Sequence, residues 1–384
     1  MIYSMSWPVE QSPFEFQTPV APDAVVGRDE ELASLRAYAR SGRAVLVSAP
    51  RRYGKTSLLR RAVRDVREQD RVAAVMVDLY GVQTLADVTV RLERAYAAHL
   101  GGGIRETASR FLRDTGLGLS LSGTGIGATF QRQPRTDPLP ALHALLDLPV
   151  RLGARHGRSW VVLDEFQELF AVPGAEGILR AHVQHHRDVA GYAFAGSERT
   201  LLDRMFADRE RPFFGQAEPQ RLGRLPASAL AGAITDGFAR TERHVGEALE
   251  PLLATADGHP QRAMLLASHL WQATPPGTVA DLGTWRAGRD AALVATAAAA
   301  SGRWEQLSPN RRRAARALAE FGTAYTRDAA TAVGLPLGSV TASLAQLVET
   351  GDLERDGDRY RFIDPLLPLW IRREIAGWRT PDDR

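Results

Sequence analysis

One segment constrains this chain more than any other. Residues 43–66 read RAVLVSAPRRYGKTSLLRRAVRDV. The apolar, partly β-branched run Ala44 to Ser48 predicts a strand, the residues after it a loop, and the stretch from Lys55 an amphipathic helix. The loop follows the phosphate-loop pattern G-x-x-x-x-G-K-[ST] from Ala49 to Thr56, with alanine in the first glycine position. The remaining roles can be assigned from chemistry. Gly54 lets the backbone aim its amides inward, and the helix start adds partial positive charge toward phosphate oxygens. Lys55 is expected to reach the β and γ phosphates, and Thr56 to offer its hydroxyl to magnesium. Pro50, Arg51, Arg52, Tyr53, Gly54, Lys55, Thr56 and Ser57 are therefore candidate nucleotide-binding positions.

A second motif gives the first its context. RSWVVLDEFQELF carries a buried-strand pattern over Trp160 to Leu163 that ends in two acids. Asp164 is a candidate to hold magnesium through water, and Glu165 to polarise the water that attacks a γ-phosphate. Two further strand-and-helix units surround these. RVAAVMVDLYG (71–81) leads to a helix from about Leu85 to His99, and GYAFAGSERTLLDRMF (191–206) reads as strand, turn and helix. Alternation of this kind predicts a parallel sheet covered by helices, with the ligand at the carboxyl ends of the strands. Ser197 lies at such an end. It either orients the attacking water or senses the γ-phosphate, or caps the following helix. Residues 101–137 form an insertion; within it GLGLSLSGTGIGATF suggests an edge strand or hairpin, and no chemistry is assigned to it.

Composition narrows the field further. At 384 residues, with 44% hydrophobic and 24% charged residues, the chain is long enough for two or three folded domains. It has no cysteine, which excludes disulfides, thiol nucleophiles and cysteine-held metal, and fits a cytoplasmic location. No long uncharged apolar run spans a membrane, and the first residues do not read as a secretory signal. The net charge of +3 argues neither for nor against nucleic acid. His182, His185 and His186 sit close together without a carboxylate at metal-site spacing, which suggests a solvated helix face.

The ordered motifs VVGRDEEL (25–32), APRRYGKTSLL (49–59), VVLDEFQEL (161–169), AFAGSERTLLDRMF (193–206), DGHPQRAMLLASHLW (257–271) and GDLERDGDRYRFIDPLLPLWIRR (351–373) resemble an archaeal-type ATPase family of the AAA+ superfamily, related to STAND and origin-recognition-type ATPases. The resemblance implies four parts: a lead-in over 1–24, a P-loop ATPase core over 25–225, a helical lid with connecting helices over 226–300, and a winged-helix domain over 301–384. It implies ATP or ADP and Mg2+ as ligands. Val26, Gly27 and Arg28 would lie beside the adenine, although Arg28 also reads as a surface arginine at a helix start. Pro260 would pack the lid against nucleotide, with Arg262 a candidate γ-phosphate sensor. Arg204, Arg209 and Arg211 are candidates for a finger acting on a neighbouring subunit. Gly215-Gln216 departs from the glycine-arginine pair common in the family, which puts an assigned finger in doubt.

From Ser308 the pattern becomes helix, helix, helix and a two-stranded wing with Asp356-Gly357 at its tip. The helix over Ser339 to Glu349 would take the recognition position, presenting Ser339, Thr341, Ser343 and Gln346 but no cation. The arginines lie elsewhere: Arg311 to Arg313 and Arg316 on the preceding helix, and Arg355, Arg359 and Arg361 on the wing. Asp364-Pro365-Leu366 is expected to pack this module against the body. The expectation is an Mg-dependent ATPase or ATP-driven switch, with duplex DNA, a protein partner or further copies of the chain as partners and no membrane. The alternatives are a nucleotide-binding scaffold and a DNA-binding regulator with negligible turnover. A small-molecule kinase is disfavoured, because no acceptor pocket can be identified.

Overall fold

The computed structural model describes residues 11–115, 120–122, 129–131, 137–186, 189–197, 199–324 and 326–377. The first ten residues of the lead-in and parts of the 101–137 insertion lie outside these. Contacts divide the chain into two units, Ala21–Gly223 and a second formed by residues 11–20 with Arg224 onward.

The first unit opens with α1 (Asp29–Ser41), β1 (Ala44–Ser48), α2 (Lys55–Glu68), β2 (Ala73–Asp78), α3 (Leu85–His99) and α4 (Gly102–Asp114). It continues with β3 (Ser120–Ser122), β4 (Thr129–Gln131), α5 (Leu139–His156), β5 (Ser159–Asp164), α6 (Ala175–Val183), β6 (Ala190–Gly196), α7 (Arg199–Ala207) and β7 (Glu218–Arg221). Five strands form one parallel sheet in the order β2-β5-β6-β1-β7. Every residue of β5 and β6 is buried, as interior parallel strands covered on both faces require. β3 and β4 pair antiparallel as a separate ribbon, so the insertion supplies a hairpin that stays out of the main sheet, together with a helix, α4.

Strand order positions the site. β1 and β5 carry the two motifs but are not neighbours, because β6 pairs with both. Ser48 is in register with Gly196, and Leu163 with Phe194, so the three strands finish at one edge. On one side the core joins Leu46, Val75, Val77, Val161, Leu163, Tyr192 and Phe194 to apolar positions of α3, α4 and α5.

The second unit is helical: α8 (Ala227–Ala239), α9 (Leu249–Ala256), α10 (Pro260–Ala273), α11 (Leu282–Gln306), α12 (Pro309–Phe321), α13 (Arg327–Ala332) and α14 (Leu337–Glu349). It closes with the hairpin β8 (Leu353–Asp356) and β9 (Arg359–Phe362) and the short α15 (Leu366–Trp370). α10 and α11 approach closely at Gly288, where a Cβ would stand 2.8 Å from Leu270 Cα. The N-terminal segment belongs to this unit through Phe14, whose ring lies 5.4 Å from that of Phe238.

Two surface expectations need correction. Ser343 is not on an open face of α14; it is buried with Val340, Leu344 and Leu347, on the stripe that α14 turns inward. His182, His185 and His186 do not share a solvated helix face either. α6 ends at Val183, the chain turns, and of the three only His185 is exposed while His186 packs inward against Tyr192. Among the described residues no helix is long and apolar enough to cross a membrane.

Candidate functional site

The phosphate-loop residues fold as a tight turn from β1 into α2. Gly54 has φ +81°, a conformation L side chains rarely adopt, and the N–H of Leu58 donates to its carbonyl to start α2. Arg52 shares the left-handed region at φ 69°. Ala49 does not, so the first position of the loop needs no glycine here. Tyr53 is buried while Arg51 and Arg52 are exposed, and Pro50 is half-buried with its carbonyl accepting from Tyr53 N–H at 3.3 Å. Ser57 is buried on the first turn of α2.

The Lys55 side chain is buried and runs to the end of β5. Its Nζ pairs with Asp164 Oδ1 and lies 3.2 Å from Glu165 Oε1. Thr56 Oγ1 donates to Asp164 Oδ2 at 2.8 Å. Two carboxylates and one ammonium leave a net negative charge beside a hydroxyl. That oxygen-rich set, the Thr56 hydroxyl and Asp164 carboxylate above all, suits a hard divalent cation such as Mg2+.

Glu165 is held by more than its charge. Its φ of 52° is left-handed, which is strained for a side chain of this size, and the next residue, Phe166, anchors it. The Phe166 ring is fully buried among Phe194, Phe206 and Phe213, with centroids 4.7 to 5.7 Å away. The carboxylate accepts from Ser197 Oγ at 3.0 Å and Gln167 Nε2 at 2.5 Å. Burial alone would raise its pKa. The charge of Lys55 and hydrogen bonds from Gln167, Lys55 and Ser197 outweigh burial and hold it below the ordinary carboxylate range, so it is ionised near neutral pH.

Ser197 thus meets Glu165 across the edge of the sheet, from the strand between the two motifs. Gln167 was not evident in the sequence, where nothing marks it among polar residues at a strand end. It is 3% exposed, and Gly196 makes room for it, since a Cβ there would fall 2.0 Å from Gln167 Oε1.

The remaining candidates fall in different places. Arg28 is no surface arginine. It is buried, with Nη1 on Glu31 Oε1 at 2.8 Å and Nη2 donating to the carbonyls of Gly223 at 2.6 Å and Tyr53 at 3.4 Å. It therefore links Tyr53 of the loop to Gly223, and Gly27 (φ 62°) and Val26 precede it in the turn. The guanidinium groups of Arg204 and Arg211 lie over the Phe170 ring at 5.3 and 4.5 Å, and Arg211 also pairs with Glu176. Arg209 is exposed.

In the second unit Pro260 is the first residue of α10. Arg262, 5% exposed, grips Asp364 with both arms of its guanidinium, Nε at 2.8 Å from Oδ1. Of the cations expected around the hairpin, Arg312 is bound to the carbonyls of Trp304 and Glu305, Arg316 to Glu320 and Arg361 to Asp257. Arg313 and Arg359 are exposed.

The chain is similar in structure to a Walker-type ATPase of Pyrococcus abyssi, with a TM-score of 0.67 and 20% sequence identity, covering 94% of this chain and 99% of that one. It is also similar to the ORC2 protein of Aeropyrum pernix, both in its ADPNP–ADP complexes (TM-score 0.57, 15% identity, 96% of this chain and 99% of that one) and in its ADP form (0.53, 16%, 94% and 98%). The shared architecture is the α/β fold of P-loop NTPases, a parallel sheet with flanking helices. No family model matches the chain, and no curated protein matches it.

Proposed function

We propose that this chain is an Mg-dependent ATPase of the AAA+ superfamily, of the archaeal type related to STAND and origin-recognition ATPases. The observation that carries the reading is the convergence of Lys55, Thr56, Asp164, Glu165 and Ser197 at the ends of three adjacent strands. Two comparisons support it: the Pyrococcus protein is a Walker-type ATPase, and the Aeropyrum protein was solved with ADPNP and ADP.

In this reading the loop from Pro50 to Ser57 wraps the phosphates with backbone N–H groups from Arg51 onward, Lys55 neutralises the β and γ oxygens, and Thr56 with Asp164 would hold Mg2+. The metal supplies Lewis-acid stabilisation of phosphate charge. Glu165 takes the proton from the attacking water, and Ser197 and Gln167 keep its carboxylate aimed. Val26 and Gly27 are assigned to the adenine, whereas Arg28, already committed to Tyr53 and Gly223, is assigned to bracing the loop. The four-part division at residues 24, 225 and 300, a winged helix in α12–β9, the lid contact of Pro260 and a nucleotide-driven switch belong to the same proposal.

A second reading, a nucleotide-binding module with slow turnover, is favoured by a specific observation. Arg262 is occupied by Asp364, and Arg204 and Arg211 by Phe170 and Glu176, so the arginines expected to assist hydrolysis are engaged elsewhere. Any finger from a neighbouring copy then falls to Arg209. Duplex DNA is a third-party ligand in this reading, approached through Arg313 and Arg359.

The test is steady-state ATP hydrolysis by the purified chain, with and without duplex DNA and across protein concentrations, beside Glu165→Gln. The expected result is ATP binding retained in the variant and turnover reduced by about 10²–10⁴-fold. Retained turnover in E165Q refutes the role given to Glu165. A near-zero wild-type rate with tight ATP binding selects the second reading.

A further inference from the structure

We infer that Asp147, His182 and His186, with His143 beside them, form a binding site for a divalent transition metal of zinc's ligand preference. The residues come from α5, α6 and the turn after α6 in the first unit. His143 and Asp147 stand one turn apart on α5, and His182 and His186 are likewise four apart, at the end of α6 and in the turn after it. One ligand atom from each of Asp147, His182 and His186 lies within 4.8 Å of the others. His182 Nδ1 is 2.7 Å from Asp147 Oδ1, His186 Nε2 is 4.0 Å from the same oxygen, and His182 Nε2 is 2.7 Å from His143 Nδ1.

Four-coordinate zinc with bonds near 2.0–2.1 Å spaces its ligand atoms about 3.3 Å apart. Against that spacing the 2.7 Å pair would open by about 0.6 Å and the 4.0 Å pair would close by about 0.7 Å. Imidazole with carboxylate is a donor set suited to Zn2+ and its neighbours rather than to Mg2+, which prefers oxygen alone.

The surroundings are those of a built site. His186 Nδ1 lies 2.6 Å from the hydroxyl of the buried Tyr192 on β6. That partner fixes the ring and leaves Nε2 toward Asp147, the arrangement metal-binding histidines commonly show. His186 and His182 form the inner wall, while Asp147 and His143 are exposed and leave one side open for entry. A purely structural hydrogen-bonded chain through His143, His182 and Asp147 would account for both nitrogens of His182. It would not account for His186 Nε2 facing the same carboxylate beyond hydrogen-bond range. A bound metal would clip α5, which leads into β5 and Asp164, to α6, which leads into β6 and Ser197.

The test uses the tag-free full chain, stripped with chelator and kept in excess Mg2+ so that hard-oxygen sites are filled. Zn2+ is titrated calorimetrically, and Co2+ is followed by its visible absorption. One equivalent of Zn2+, the visible bands of four-coordinate Co2+ and a raised Tm are expected. Asp147→Asn and His182→Ala should each weaken Zn2+ binding at least tenfold, and Asp147→Asn, at an exposed carboxylate, should leave the metal-free Tm in place. His185→Gln, at the exposed neighbour, should change nothing. Absence of a bound equivalent overturns the proposal. So does Zn2+ binding that D147N and H182A leave intact, or that H185Q weakens as much as they do.

Discussion

Replacing Gln167 by Leu separates what the Glu165 network does for activity from what it does for stability. The Gln167 amide donates to Glu165 Oε2 at 2.5 Å from a site only 3% exposed. A hydrogen bond to a charged acceptor contributes about 1.5–3 kcal/mol. Gln167 Oε1, however, is buried with no hydrogen-bond partner among the described residues, and an unmet acceptor of that kind costs about 1–3 kcal/mol. Leucine removes both at similar volume, so the stability change should lie within about 1 kcal/mol, which is roughly 2–4 °C in Tm for a domain of this size. Catalysis has no such offset. Glu165 loses one of the bonds that aims it, and a misplaced base should lower kcat by about 10–100-fold. The pH profile gives an independent sign. The Gln167 bond is one of the interactions that hold the Glu165 pKa down, and the base acts when ionised. Removing the bond raises that pKa and moves the acid limb of kcat to higher pH. Steady-state hydrolysis across pH and thermal unfolding of Q167L measure both. Unchanged kcat with an unmoved acid limb, or a Tm loss well beyond about 4 °C, would refute the reasoning.

Gly54→Ala should lower stability by about 1–2 kcal/mol from backbone conformation alone, because φ is +81° and no atom lies within 4 Å of the added Cβ; weakened ATP binding should accompany the lower Tm. Arg262→Ala strips Asp364 of its two-armed partner and should destabilise the chain by about 1–3 kcal/mol, discounted for the partial exposure of Asp364, with kcat unchanged. An intact Tm with lost hydrolysis would instead restore Arg262 as a γ-phosphate sensor. His259, the buried cap of α10, has its pKa lowered to about 4, first by burial. A ring kept neutral in the folded state takes up its proton more readily when unfolded, so its contribution is full above about pH 6.5 and is lost as pH falls toward 4, by about 3 kcal/mol in all. Stability curves of wild type and His259→Asn, which keeps a capping oxygen, should separate as pH falls through that window, with wild type losing stability relative to the variant; parallel curves would refute this.

The sequence was most informative where chemistry is local. The strand over Ala44–Ser48, the helix start at Lys55, the helix Leu85–His99 and the acids ending β5 are all set by near neighbours, and periodicity or turn chemistry announces them. Contacts made across the sheet were not announced. Alternating strands and helices do not give strand order, so that β6 separates β1 from β5 had to come from the structure. Arg28 illustrates the same gap, since its partners Tyr53 and Gly223 are brought to it only by folding. His182 and Asp147 are 35 positions apart, and the spacings 143–147 and 182–186 say nothing until α5 and α6 pack. Ser343 differs, because a cue was present. It occupies the i+3 position of the stripe Val340, Leu344 and Leu347, and helical periodicity alone places it inward.

β6 explains why these distant pieces act together. Gly196, at its end, lacks the side chain that would displace Gln167, and Ser197 beyond it reaches Glu165. Phe194 packs against Phe166 and so helps to set the strained turn that aims Glu165. Tyr192, two residues earlier on the same face, holds His186. A perturbation of this one strand therefore reaches both the candidate nucleotide site and the histidine cluster. Alanine at Tyr192 would loosen His186 and remove ring packing beside Phe194, which stands 6.0 Å away, whereas phenylalanine would remove only the hydroxyl. If the two sites are coupled through β6, Tyr192→Ala lowers both Zn2+ affinity and kcat, while Tyr192→Phe lowers Zn2+ affinity alone. Equal loss of kcat in the two variants would show that the hydroxyl, and not the packed ring, carries the connection.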